Sequence, residues 1–276
     1  MMCTGRYLSV LNLLYYDMKA TVKRSWYYFV IISILAILVR FLCSEAFMSF
    51  FTDINFIYGY VVGAVAGGFL GAFGILVTLI IIVYQTQWFD ENILSSEGQL
   101  TNMFPVASWQ IILSKILTAL IWSFIIVLMA IGIVCIVMVG TEYFEELAKT
   151  VVEIGADNQV DISLTGLMIS VGFYIVTGIT SFVSLCFVAQ MIGQVFGNFR
   201  NVVILVAFIG ILALSLFLEY KIALMSGVIA PEGIAADDIV KFCIQAMTKL
   251  TVINIFAIVI YWLVSSFILK RFLTVV

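Results

Sequence analysis

The chain has 276 residues, 64% of them hydrophobic and 11% charged, against roughly 45–50% and 25% for a soluble domain. A soluble fold is excluded, and at about 20 apolar residues per bilayer crossing residues 1–276 are expected to form a single integral membrane unit. There is no histidine, which removes Ser-His and Cys-His catalysis and the common His-ligated metal sites. Cys3, Cys43, Cys135, Cys186 and Cys243 are odd in number and share no metal-like spacing, so they read as small apolar residues. No catalytic residue and no metal site is expected.

The first 25 residues are polar and charged and lack a small-residue cleavage site, so they are not read as a cleaved signal. Within them Tyr7, Leu11, Leu14, Met18 and Val22 recur at helical spacing, while Arg6, Asn12, Lys19 and Lys23 occupy other faces. That pattern predicts an interfacial helix lying in the membrane surface; an ordinary amphipathic cap on the cytosolic face is the alternative. Six apolar stretches follow, at about Trp26–Ser44, Ile57–Tyr84, Ile111–Gly140, Leu164–Ile192, Val202–Leu218 and Thr251–Leu269. An all-α polytopic membrane protein with six transmembrane helices is therefore expected.

In the second stretch Gly59, Gly63, Gly67 and Gly71 fall every four residues, with Gly68 and Gly74 beside them. One helix face is nearly bare, which suits close packing within or between subunits, or a surface along which helices slide. Two outer segments have helical periodicity, Glu142–Ile154 and Asp237–Leu250. They are expected as short external helices before spans 4 and 6, resting on the bundle or gating an exit path.

Charges inside a bilayer are costly and mark ion paths or binding sites. The six spans contain no Asp or Glu clear of their ends, which disfavours a proton-driven carrier. Arg40 is the one basic residue well inside a span; it either extends to the headgroups or faces a lumen, with Glu219 or Glu45 as partner. The chain has no G-x-x-x-x-G-K-[ST] phosphate loop, so ATP energy has to come from another polypeptide.

The segment from Gln85 to Gln110 is long, has no Lys or Arg, and carries Asp90, Glu91 and Glu97. Asn92 to Thr101 is expected to form a short helix with Ile93, Leu94 and Leu100 as apolar anchors for a partner. Pro105 then breaks the backbone, and Ser108 caps the third span.

The succession Glu97-Gly98-Gln99-Leu100-Thr101, Phe104-Pro105-Val106 and Ser114-Lys115 resembles the E-G-Y-L-T, L-P-V and S-K succession of small bacterial permeases of the ABC-2 type. Gln99 replaces the usual aromatic there and Phe104 the usual leucine. The resemblance implies an elbow helix before span 1 and a cytoplasmic coupling helix between spans 2 and 3. It also implies two copies of a separate ABC ATPase subunit that bind ATP and Mg, and a second permease copy in a homodimer or heterodimer. Glu97, Gly98 and Leu100 are the residues it places against the ATPase. It further implies export of amphipathic peptides, of the kind moved by phenol-soluble modulin exporters, or of other membrane-active molecules, with the lipid bilayer as surroundings and no nucleic-acid partner. The chain itself would be no enzyme and hold no cofactor. A non-transporting anchor or sensor for a cytosolic ATPase, or an ion-coupled secondary carrier, is the alternative.

Six spans put both termini on one side. That side holds Arg6, Lys19, Lys23, Arg24, Lys115, Arg200, Lys270 and Arg271, so it is assigned to the cytoplasm of a multi-pass protein of the bacterial cell membrane. Its acids are Asp17, Asp90, Glu91 and Glu97, whereas the outer segments hold twelve acids and four lysines. The modest net charge of −3 thus conceals an acidic outer face.

Overall fold

The computed structural model describes residues 4–42, 57–94, 107–138, 161–196, 199–225 and 236–273, and among these the chain is helical with no strand. Six helices run in order: α1 (Thr4–Leu42), α2 (Ile57–Phe89), α3 (Ser108–Met138), α4 (Asp161–Val195), α5 (Arg200–Met225) and α6 (Ala236–Ile268). Helices α2 and α6 each continue into a π-helical turn, Asp90–Leu94 and Leu269–Leu273. Apolar side chains on every face and a backbone that must satisfy its own hydrogen bonds make long helices the available solution in lipid. Both prolines, Pro105 and Pro231, fall between these helices, so none of them carries the residue that breaks a helix interior.

Among the described residues four helical stretches are long and apolar enough to cross a membrane: Ser108–Ile133, Gly166–Val195, Arg200–Leu224 and Phe242–Arg271. Val10–Lys23 and Ser25–Leu38 make a fifth if counted as one bent span. That pair meets at an angle of 47°, at Arg24, where the sequence predicts a surface helix turning into the first span.

Two expected boundaries change. Asp237–Leu250 is not a separate external helix but the first part of the 33-residue α6, because no Gly or Pro interrupts residues 236–268. Likewise α2 does not stop at Tyr84; it runs to Phe89, and Asn92–Leu94 lie in the π-helical turn that extends it. The other expected external helix, Glu142–Ile154, lies outside the described residues.

Small polar residues share the interior of the bundle with apolar ones, and its outer surface is apolar. Thr21, Ser25, Ser114, Thr118, Ser123, Thr177, Thr180 and Ser184 are buried, while Leu205, Val206, Leu214, Phe217, Phe256 and Phe267 are exposed. In lipid the apolar surface is already in a matching solvent, so small residues that allow close backbones and make short hydrogen bonds take the interior. Ser123 and Thr180 meet between α3 and α4 at 3.2 Å, and each also donates to a carbonyl four residues back on its own helix.

Helix α4 lies centrally, against α6, α5 and α3, and α1 packs on α3. The main apolar core gathers Ile82 and Phe89 of α2, Ile93 and Leu94, Ile111, Ile112 and Ile116 of α3, Val183, Phe187 and Met191 of α4, and Ile268 and Leu269. All belong to the same end of the bundle, where α2, α4 and α6 finish and α3 begins. Phe89 and Phe187 stack there at 4.2 Å.

At that end α4 and α5 are joined by a tight turn, in which the Phe196 amide donates to the Gly193 carbonyl. A Cβ built at Gly193 falls 2.2 Å from Ile204 Cγ1 and 3.1 Å from the Arg200 carbonyl oxygen. Glycine is required here by the approach of α5. Gly193→Ala is expected to destabilise the chain by about 1–3 kcal/mol, read as a lowered unfolding temperature in detergent; combining it with Ile204→Ala, which removes the nearest obstruction, should recover part of the loss.

Candidate coupling site

Two ion pairs organise the packed end. The first begins on α1, where Asp17, Thr21 and Ser25 share one face at four-residue spacing and are all buried. Lys115 Nζ of α3 meets Asp17 Oδ1 at 2.5 Å, and Ser114 Oγ lies 3.1 Å from Asp17 Oδ2. Both carboxylate oxygens are therefore engaged. Lys115 also sits 5.8 Å from the centre of the Trp88 ring of α2, close enough for a cation–π contribution. One turn further along α1, Trp122 Nε1 of α3 donates to Thr21 Oγ1 at 3.0 Å, and Thr21 in turn donates to the Asp17 carbonyl. Above the bend, Phe29 stacks on the same Trp122 with centroids 5.4 Å apart. The two arms of α1 are thus held on either side of Arg24 by one indole.

The second pair joins Arg200, at the start of α5, to Asp90, the first residue of the π-helical turn after α2. Two glutamines of α4 reinforce it. Gln190 Nε2 donates to the Thr86 carbonyl and Gln194 Nε2 to the Leu94 carbonyl, each at 3.1 Å. The end of α2 is therefore clasped against the α4–α5 turn at three points. On the other side of residues 95–106, α3 is opened by the Gln110 amide donating to the Ala107 carbonyl.

The sequence-predicted site residues distribute as follows. Asp90 is engaged by Arg200, and Glu91 is exposed. Ile93 and Leu94 are buried in the chain's own core, so their side chains hold the turn in place and do not project as anchors. Glu97, Gly98, Leu100 and Pro105 lie outside the described residues. Arg40 is half-buried in the last turn of α1. Gly59, Gly63, Gly67 and Gly71 all fall within α2. A Cβ at Gly68, Gly71 or Gly74 meets nothing within 4 Å, so this part of the ladder is not a seam between the described helices.

The sequence pattern marks Asp17 and Arg200 only as charges in a topological balance and Lys115 as such a charge and as part of the Ser114-Lys115 motif; it does not single out Thr21, Trp88, Trp122, Gln190 or Gln194. The available signal was the Asp17-Thr21-Ser25 spacing, a polar stripe inside an amphipathic helix. Comparison of the chain with family models, curated proteins and solved structures finds no match.

The two pairs differ in consequence because they differ in burial. Lys115 and Asp17 side chains are 8% and 12% exposed, against 33% and 36% for Arg200 and Asp90. Breaking the first leaves a charge in an apolar interior, whereas the second is screened. Lys115→Met is expected to cost about 3–5 kcal/mol, and the double variant Asp17→Asn with Lys115→Met distinctly less, as measured by a thermal-denaturation cycle in detergent. Arg200→Gln is expected to change stability by no more than about 1 kcal/mol in the same assay.

Proposed function

We propose that this chain is the transmembrane permease subunit of an ABC-2 type exporter, moving amphipathic peptides or other membrane-active molecules with ATP hydrolysed by a separate subunit. In this reading six segments span the bilayer: the second arm of α1, then α2, α3, α4, α5 and α6. Both termini are cytoplasmic and the packed end faces the cytoplasm. Residues 95–106, with the Glu97-Gly98-Gln99-Leu100-Thr101 sequence, meet the ATPase, which supplies ATP and Mg. A second copy of the permease completes the complex.

The observation that carries the reading is the attachment of both ends of this segment. On one side the Asp90–Arg200 pair and the Gln194–Leu94 bond tie it to α2, α4 and α5. On the other, Ile111, Ile112 and Lys115 tie it to the core and to α1. A displacement imposed on residues 95–106 by a soluble motor is thereby delivered to the packed ends of all these helices at once. The positively charged residues of that end, Lys115 and Arg200 among them, support its cytoplasmic assignment. Glu91 and Glu97 are the other acids of that side, both at or beside the proposed contact.

Co-expression with an ABC ATPase subunit, sought first in the adjacent reading frames, tests the reading. Glu97→Lys is expected to reduce recovered ATPase severalfold, because charge reversal at a partly desolvated contact is costly, while the permease itself stays folded. Undiminished co-purification together with undiminished transport rejects the assignment. The open glycine face bears on the second copy: Gly71→Leu, at a position where an added Cβ meets nothing within 4 Å among the described residues, is expected to leave the fold intact and to lower the dimer fraction seen by cross-linking in membranes.

A further inference from the structure

Toward the end of the bundle away from the ion pairs, α5 and α6 part to leave a groove of about 210 Å³. Its walls are mainly aliphatic and aromatic, among them Ile211, Leu218, Ile253 and Phe256. Three polar side chains enter it: Ser215, Tyr261 and Glu219. Tyr261 comes from α6, whereas Ser215 and Glu219 come from α5 one turn apart. Glu219 belongs to neither of the ion pairs at the packed end. It stands 19 residues beyond Arg200 on one helix, roughly 29 Å along the axis at 1.5 Å per residue. That distance matches the hydrocarbon thickness of about 30 Å, so with Arg200 at one boundary the carboxylate lies at the other, facing apolar walls.

We propose that this groove binds the side chain of a basic residue on an amphipathic peptide lying in the outer leaflet, with its aliphatic stem between α5 and α6 and its cationic head on Glu219. Three features define the occupant. A carboxylate set among apolar walls is stabilised by an opposite charge delivered on an apolar stem. The volume is below the 300–1,000 Å³ typical of sites that enclose a whole small molecule, so it takes one side chain while the rest of the ligand lies outside. The flanking surface, including Leu214, Phe217 and Ile260, is exposed and apolar, which suits the nonpolar face of a membrane-bound helix. An aminophospholipid offers the same ammonium, but its phosphate brings a negative charge beside Glu219. A lysine side chain carries none.

The proposal names a substrate-contacting residue within the export reading above and rests on that reading for the ligand's role. It is tested without the ATPase, with the full chain in phosphatidylcholine nanodiscs. The probe is a fluorescent synthetic amphipathic helix of leucine and lysine, with empty nanodiscs giving the background partition. Glu219→Gln is expected to weaken protein-dependent binding about tenfold or more, and Ala257→Phe, which fills the groove from α6, to abolish it. Glu219→Lys is expected to transfer preference to the leucine–glutamate version of the probe, a gain that misfolding does not produce. Equal binding of the lysine probe to wild type and Glu219→Gln overturns the proposal, as does loss of the difference when phosphatidylethanolamine is added, which assigns the groove to a lipid amine. Failure here leaves the coupling reading standing, whereas failure of ATPase co-purification leaves a peptide-binding groove without a motor.

Discussion

A carboxylate enclosed in an apolar bundle has to be answered by a positive charge, and for Asp17 the answer comes from another helix. The Lys115 ammonium and the Ser114 hydroxyl occupy its two oxygens, and the Trp88 ring closes over the lysine. This requirement determines which face of α1 turns inward. The buried residues are Asp17, Thr21 and Ser25, while Leu11 and Val22 of the apolar stripe remain exposed. Without that pair, hydrophobic burial alone offers α1 little preference, since lipid accepts its apolar face as readily as a neighbouring helix does. Electrostatics selects the docking face and the Trp122 contacts then fix the bend at Arg24. An ion pair used in this way specifies an arrangement more than it adds stability, because much of its Coulombic gain offsets desolvation.

The same solvent argument explains why the best packing is concentrated at one end. Between lipid-bathed helices there is no hydrophobic gain to be had along the whole length, so cohesion depends on close contact and polar bonds. These gather where α2, α4 and α6 finish and α3 begins, in the stacked Phe89 and Phe187, the Gln190 and Gln194 bonds, and the close approach at Gly193. The π-helical turns at Asp90–Leu94 and Leu269–Leu273 belong to this region. Each carries its helix further into the core, placing Ile93, Leu94 and Leu269 there.

Much of the helical framework is legible in the chain itself. Uninterrupted apolar runs announce helices, and Arg24 lies where a mixed amphipathic pattern changes to a continuous apolar one. Boundaries are less legible because they depend on what the ends touch. Asp237 looks like a cap for a short helix, yet with no breaker before Ile268 the helix simply continues. Ile93 and Leu94 look like anchors for a partner, but periodicity does not say which body receives them, and here it is the chain's own core. The partnership of Asp17 with Lys115 joins positions 98 residues apart and has no local signature. The glycine ladder illustrates the same limit: its spacing establishes a smooth face, and only coordinates reveal that among the described residues nothing lies within 4 Å of a Cβ added at Gly71.

The attachment of α5 has a mechanical consequence. Among its described side chains none is buried, and it is held at its beginning by the Gly193 turn and the Arg200–Asp90 pair and at mid-length by Phe208, Ile211 and Leu212, which pack on α4 and α6. Beyond Leu212 it runs on to Met225, an overhang of about 20 Å at 1.5 Å per residue. A tilt of about 5° at the base of that overhang carries its tip sideways by roughly 2 Å. The fit of three half-buried side chains against the neighbouring helices therefore sets the position of everything at the far end of this helix, Glu219 and its groove included.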